Sequence, residues 1–315
     1  ALDKWDERLN LAVARVGEAN MPMIYVNQVG GQDELVFDGG SFVLNADRHL
    51  RARCPDWTEA LIATNWQRGS DGWACDEGSC AAPEDSLASV YSAMMLGLRD
   101  YVGKNHFPGV LIGMSGGIDS ALTAAVAVDA LGPDRVHCVM MPSPYTSDES
   151  LEDAAAAAKA LGCRLDNINI GPAMEAFDGM MAPSFEGLPP DTTEENIQAR
   201  SRGIILMALS NKTSAMVVST GNKSEMSVGY ATLYGDMCGG FSVLKDVYKM
   251  TVFELSRWRN ETLPANTKGP AGEVIPDRII TKPPSAELKP DQTDQDTLPP
   301  YDELDAILHC LVEKD

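Results

Sequence analysis

The stretch Ser115-Gly116-Gly117-Ile118-Asp119-Ser120 sets two glycines, two hydroxyls and a carboxylate between an apolar run, residues 110–114, and an alanine-rich run. Gly116 and Gly117 lack a Cβ, so the backbone can turn its N–H groups toward an anion and approach it closely. A helix starting behind the loop would aim its positive end at the same place. Ser115 and Ser120 offer hydroxyl donors, and Asp119 offers the carboxylate oxygen that Mg²⁺ prefers. That chemistry is phosphate binding with a metal. The loop holds no lysine and matches neither GxxxxGK[ST] nor GxGxxG. A helix end contributes at most about 1–2 kcal/mol toward an anion, so a triphosphate needs charge from distant residues. A glycine-rich turn kept for packing is the plainer reading of the two glycines alone.

The loop needs elements to position it. Residues 110–114 read as a buried strand, 120–131 as a helix and 136–141 as a second strand. Thr146 with Glu149 has the capping-box pattern, and Gly162 ends the helix between them as a C′ glycine. CRLDNINI is a third strand. Thr192 and Glu195 give a second capping-box pattern opening helix 193–212, and AMVVSTG is a fourth strand. Alternating strands and helices predict a parallel sheet with right-handed crossovers. Ligands bind at the carboxyl ends of such strands, so the loops after Met114, Met141 and Thr220 share one rim. Residues 86–103 carry a helical pattern. Near the start, Leu2, Leu9, Val13 and Val16 sit at helical spacing, followed by MPMIYVNQVG and GGSFVLN as strands. Residues 63–85 have little periodicity and read as a linker or long loop. Residues 263–300, rich in Pro and Lys, read as a functional or disordered loop. There is no internal repeat.

The chain has 315 residues, room for one large domain or two ordinary ones. Its net charge of −21 repels nucleic acid and anionic membrane. Seven cysteines without metal-type spacing read as free thiols of a reducing, cytoplasmic compartment. No apolar stretch approaches the ~18–20 residues of a membrane span, and no signal-peptide pattern is visible. Helical patterns run to both ends, so the chain reads as cut from something longer.

SGGIDS resembles the SGGxDS signature of the ATP pyrophosphatase-type (adenine nucleotide alpha hydrolase) fold, whose members cleave ATP between the α- and β-phosphates. ENIQARSRGIILMALSN, STGNKSEMSVGYATLYGD, LKDVYKMTVFELSRWRN and KPPSAELKPDQTDQDTLPPYDELDAIL look like NAD synthetase across residues 86–312. NQVGGQDELVFDGGSF resembles the C-terminal end of the nitrilase-like glutaminase in glutamine-dependent NAD synthetases. The resemblance implies an α/β fold with a parallel sheet flanked by helices, preceded by a truncated nitrilase-like segment. It divides the chain into a glutaminase remnant at 1–62, a linker at 63–85 and a synthetase domain at 86–315 lacking its final helices. It implies amidation of deamido-NAD to NAD through an acyl-adenylate, with ATP and Mg²⁺, releasing AMP and pyrophosphate. Ammonia arrives directly or from glutamine. The Glu-Lys-Cys triad of the glutaminase lies upstream of the NQVGGQDE block, and none of the seven cysteines has its context, so this chain is not expected to hydrolyse glutamine.

The same resemblance assigns roles. Gly113, Ser115, Gly116, Gly117, Ile118, Asp119 and Ser120 would surround ATP, with pyrophosphate over Gly116 and Gly117, joined by Thr220. Asp119 and Glu225 would hold Mg²⁺. Lys249 would contact phosphate, with Lys245 ranked second. Ser285 would reach the phosphates when a lid, residues 263–285, closes. Asp119, Lys249 and Ser285 are the catalytic set. Asn196, Arg200, Glu225, Asp236 and Lys249 would contact deamido-NAD. Residues 140–147 resemble a second loop beside the adenine. Gly240 stands where several relatives carry an aspartate.

Blander readings stay open beside these. Glu225 also fits a solvated acid at a helix start, and Lys249 a surface lysine beside Asp246. Asn196 and Arg200 could pair with glutamates, and Ser285 could cap a short segment. The carboxylates after Asp291 read as solvated surface. The whole chain also fits a nucleotide-binding fragment without turnover, or another ligase of the group such as a GMP synthetase. The charge argues against tRNA. Synthetases of this family commonly form homodimers, with 86–103 a possible interface helix.

Overall fold

The computed structural model describes residues 4–70, 72–290 and 292–314; Leu2 and Asp291 lie outside them. The chain divides into two compact units, residues 1–101 and 102–315.

In the first unit, α1 (Lys4–Ala19) lays Ala12 and Val16 against Phe42 and Leu44. The strands are β1 (Met23–Tyr25), β2 (Val29–Gln32), β3 (Leu35–Asp38), β4 (Phe42–Leu44) and β5 (Leu50–Arg53). They form an antiparallel sheet of order β1-β4-β5 and a separate hairpin, β2-β3. The region expected to be a linker contains a second hairpin, β6 (Trp66–Gly69) with β7 (Gly72–Cys75). Its strands are four residues each, too short to show a periodicity. Helix α2 (Ser86–Lys104) follows.

The second unit alternates β8 (Val110–Gly113), α3 (Ile118–Leu131), β9 (Val136–Met140), α4 (Asp148–Leu161), β10 (Arg164–Asn167), α5 (Gly171–Met181), α6 (Thr192–Thr213), β11 (Met216–Ser219) and α7 (Lys223–Val228). A short β12 (Phe241–Ser242), then α8 (Lys249–Glu261), α9 (Asp277–Thr281) and α10 (Tyr301–Glu313) complete it. The five strands are all parallel, in the order β10-β9-β8-β11-β12. Strand β12, only two residues long, is the edge that the sequence pattern does not reveal. The order reverses between β8 and β11, and ligand crevices form outside the strand ends at such a switch point. Helix α3 is buried almost all round, as its run of alanine, valine and leucine requires. Leu111, Val139, Leu206 and Val217 pack one face of the sheet against α6.

Both capping patterns are shifted by one residue. The cap of α4 is Ser147, whose side chain accepts from Ser150 N, while Thr146 Oγ1 accepts from Ser143 N inside the preceding loop. The box at α6 is Asp191 with Glu194, not Thr192 with Glu195. Asp191 is the residue with extended backbone, and the carboxylate caps at least as well as the threonine. Gly162 is left-handed at φ 70°, as expected.

Candidate active site

The loop after β8 is tied to itself. Ser115 Oγ accepts from Gly117 N at 3.1 Å, and Ser120 Oγ donates to Gly117 O at 2.9 Å and accepts from Ser115 N at 3.2 Å. Gly117 ends the loop as the residue before α3. Gly116 has φ +79°, and a Cβ there would stand 2.3 Å from Ser150 O. Glycine is thus required twice over, by backbone conformation and by the approach of α4. Gly116 and Ser120 are buried and do not line the cavity that Ser115, Gly117, Ile118 and Asp119 border.

That cavity is polar. Asp119 projects from the first turn of α3, Glu225 from the first turn of α7, and Lys249 is the first residue of α8. Lys249 Nζ donates to Asp119 Oδ2 at 2.6 Å and to Glu225 Oε1 at 2.9 Å, and lies 5.0 Å from the centre of the Tyr301 ring. The lysine side chain is 2% exposed. It is a buried site lysine, not a surface one, and Lys245 lines neither cavity. Its helix start is fixed by Ser224 Oγ, which accepts from Lys249 N, and by Asp305, which accepts from Met250 N. Burial opposes the lysine charge, but the two carboxylates outweigh it and raise its pKa. Burial, then repulsion from Asp119, pushes Glu225 up to about 7, with Lys249 pulling the other way.

Several members of this cluster are missed by sequence reasoning. Asn222, fully buried, caps α7 by accepting from Glu225 N and donates to Asp119 Oδ1 at 2.8 Å. An Asn three residues before Glu225 is a readable cap signal. Asp294 is 3% exposed and accepts from the hydroxyls of Tyr301, at 2.8 Å, and Tyr230, at 3.3 Å. The expectation of a solvated acidic surface after Asp291 fails at this residue, because two tyrosines satisfy the carboxylate. Lys282 also lines the cavity, bonded to Asp153 and Ser150.

The segment expected to be an irregular lid is packed. It contains α9, buries Val274, Ile275, Ile279 and Ile280, and pairs Arg278 with Asp153 of α4. Ser285 reaches the polar cavity, where its hydroxyl donates to Gln292 O and accepts from Glu287 N. It closes a local turn there, with no helix following for it to cap.

A second cavity adjoins the first and is lined mainly by apolar groups, including Met114, Met141, Ala199, Leu206 and Val218, with Gly113 and Thr220 at the strand ends. The rim expected from Met114, Met141 and Thr220 is therefore one site. Arg202, from α6, also lines it, and its Nε donates to Met141 O at 3.0 Å. Burial lowers its pKa to about 10, with Glu287 and Asp236 opposing. No pattern in ENIQARSR distinguished this arginine from Arg200. Asp236 lines both cavities, and burial raises its pKa against the backbone bonds it accepts.

Asn196 and Arg200 line neither cavity. Asn196 Oδ1 accepts from Thr232 Oγ1 and Arg200 Nε donates to Leu233 O, so both brace the turn that carries Asp236. Neither bonds to a glutamate in these contacts. Gly240 packs on β11, where a Cβ would stand 3.1 Å from Met216.

Two carboxylates on one lysine border a polar cavity that adjoins a mainly apolar one. Comparison with known proteins shows the family. The NAD synthase family model matches residues 90–315. The glutamine-dependent NAD(+) synthetase of Rhodobacter capsulatus is 53% identical over 99% of this chain and 56% of its own length. That of Acinetobacter baylyi is 49% identical over 95% and 53%. The glutamine-dependent NAD+ synthetase of Acinetobacter baumannii, solved with adenosine diphosphate, superposes with TM-score 0.83 at 44% identity, over 100% of this chain and 56% of that one. An NMN synthetase from Francisella tularensis superposes at 0.62 and 30% identity, over 71% and 87%. The chain spans about half the length of the curated relatives it matches. It belongs to the NAD synthase family.

Proposed function

We propose that this chain amidates deamido-NAD to NAD. The nicotinate carboxylate attacks the α-phosphorus of ATP, and pyrophosphate leaves. Ammonia then attacks the acyl-adenylate carbonyl, and AMP leaves. The observation that carries this reading is the buried Lys249 held between Asp119 and Glu225 at the end of the β8 loop.

The apolar cavity suits a purine base, and the polar cavity its phosphates. An ammonium group has three donors; two of Lys249's go to Asp119 and Glu225, leaving one for a phosphate oxygen. Lys282, with Ser285 beside it, faces the same space. Among the described residues no group of three or more His, Cys, Asp or Glu is arranged to hold a metal alone. Two carboxylates plus substrate phosphates are an ordinary Mg²⁺ environment, so Asp119 and Glu225 fit that ion. Bound there, it would neutralise phosphate charge. The residues of the β8 loop align the triphosphate, and the packed segment above it excludes water from the acyl-adenylate. Asp236, on both cavities, is placed to contact deamido-NAD, with Asn196 and Arg200 acting through its turn.

The first 62 residues, in this reading, belong to a glutaminase whose catalytic residues this chain lacks, so ammonia is supplied directly or from glutamine by another segment. The protein works as a homo-oligomer in the reducing cytoplasm, in keeping with seven free thiols. Among the described residues no helix is long and apolar enough to cross a membrane.

The protein, ATP, Mg²⁺ and ammonium are incubated with deamido-NAD, nicotinate mononucleotide or XMP in separate arms. NAD and AMP in equal amounts, in the first arm only, are expected. Turnover in another arm instead reassigns the substrate, the mononucleotide arm being prompted by the NMN synthetase neighbour. ATP binding without turnover in any arm marks a fragment that only binds.

A further inference from the structure

Helices α3 and α8 are joined by charge at two levels. The first is in the cavity, Asp119 with Lys249. Ten residues further along each helix, Asp129 meets Arg259: Nε to Oδ2 is 2.6 Å and Nη2 to Oδ1 is 3.0 Å. In both pairs the partners are 130 positions apart. At 1.5 Å per residue the second pair lies about 15 Å along the helices from the first. Both of its side chains are wholly buried, and neither lines either of the two cavities described above.

A chain segment is knotted around this second pair. Arg259 Nη2 also donates to Pro270 O at 2.7 Å, Thr267 Oγ1 donates to Asp129 Oδ1 at 2.7 Å, and Lys268 N donates to Asp129 O at 2.8 Å. Gly269 lies so close that a Cβ would stand 2.0 Å from Asp129 Oδ1. The same segment runs on through α9 to Lys282 and Ser285 in the phosphate cavity.

We propose that Asp129 and Arg259 are positioning residues for the ATP phosphates. The pair sets the axial register of α8 on α3, and so the reach of Lys249 to Asp119. It also roots the segment that delivers Lys282 and Ser285. This rests on the reading of the polar cavity as the phosphate site. Stability alone is a weak reason for such a pair, since a buried ion pair can often be replaced by apolar residues at no cost. Geometry is the stronger reason. A bidentate guanidinium–carboxylate fork fixes direction as well as distance. A slip of one helix by a single residue's rise, about 1.5 Å, would break the 2.6 Å contact of Lys249 with Asp119.

The test compares the wild type with the double variant Asp129→Leu/Arg259→Met, with Arg259→Lys and with Gly269→Ala. Melting temperature, Kd for Mg·ATP, KM for ATP and for deamido-NAD, and the rate of tryptic cleavage at Lys268 and Arg278 with and without ATP are measured. The double variant is expected to melt near or above the wild type. Its Kd and KM for ATP rise ~10-fold or more, with KM for deamido-NAD within ~2-fold, a tenfold change being the scale of one misplaced contact. ATP no longer slows cleavage of the segment. Gly269→Ala, whose Cβ would overlap Asp129 Oδ1, melts below the wild type and shows the same change in Kd and protection more weakly, and Arg259→Lys lies between it and the wild type in those two readouts. A folded double variant with unchanged Kd for ATP and unchanged protection overturns the inference. If the double variant does not fold, Gly269→Ala and Arg259→Lys decide by the same two readouts. Wild type that binds ATP but makes no NAD defeats the proposed reaction, while Kd and protection still judge the brace. Wild type that binds no ATP defeats both.

Discussion

The two adjoining cavities are built by opposite means. The apolar one is made of strand ends and one face of α6, with its side chains already in the core. The polar one is made of three helix starts, α3, α7 and α8, and a long return segment. Packing alone shapes the first. The second needs buried charges held apart from water: Asp119 is held by Asn222 and Lys249, both more than 100 positions away, and Asp294 by Tyr230, 64 positions away, and by the nearby Tyr301. Removing a group should therefore weaken binding in the first cavity and disable chemistry in the second.

Lys249→Met should break that contrast most severely. It removes the cation between Asp119 and Glu225 and leaves the two carboxylates facing each other. A loss of kcat on the order of 10³-fold is expected, the scale of deleting one preorganised electrostatic group. The melting temperature falls too, since half a buried pair is costly. Steady-state kinetics with a parallel melt separates the two effects; near-normal kcat would remove Lys249 from the chemistry. Gly116→Ala comes next. The left-handed backbone alone costs about 1–2 kcal/mol, and the approach to Ser150 O adds to it. A lower melting temperature and a lost ATP-dependent melting shift are expected.

In the apolar cavity, Ala199→Leu tests the other half of the comparison. Ala199 lines that cavity, and a larger side chain would occupy the space proposed for the base. KM for ATP should rise ~10-fold, equivalent to about 1.4 kcal/mol of binding, with kcat little changed. A fall in kcat with unchanged KM would mean that the base lies elsewhere. The smallest effect is expected at Asp236, which touches both cavities. Its pKa is raised in the fold, chiefly by burial. The native state then holds its proton where the unfolded chain has released it, so stability declines as pH rises from the ordinary value of 3.8 through the folded value. Asp236→Asn should melt higher than wild type at neutral pH, and the gap should close as pH falls toward 4. A gap independent of pH would assign the effect to packing.

Much of the apolar half is legible in the sequence, because strand and helix periods report burial directly. The runs at 110–114 and 136–141 and the rim they share follow from that. The helix caps are legible only to within a residue. The run Asp191-Thr192-Thr193-Glu194-Glu195 offers two overlapping capping boxes, and the choice depends on which residue leaves the helical backbone. The charged side chains of both halves are less legible. Arg202 lines a cavity while Arg200 braces a turn, two residues away on the same helix, and only the packing of α6 on the sheet separates them. Asp294 sits in a polar run that reads as surface, until Tyr230 arrives from 64 positions away to join the nearby Tyr301 on its carboxylate.

The sequence by itself determined that a strand, a glycine loop and a helix would meet at Ser115–Ser120, and that the loop lacked its own cation. Both are local facts, set by hydrophobic period, by the missing Cβ and by residue type. Which lysine would supply the charge, and that Asn222, Asp294 and the Asp129–Arg259 pair would frame it, only the tertiary structure decided. Those partners lie up to 130 positions apart. Burial strengthens each charge contact and forbids each unpaired one, and burial is a property of the assembled fold, not of any stretch of chain.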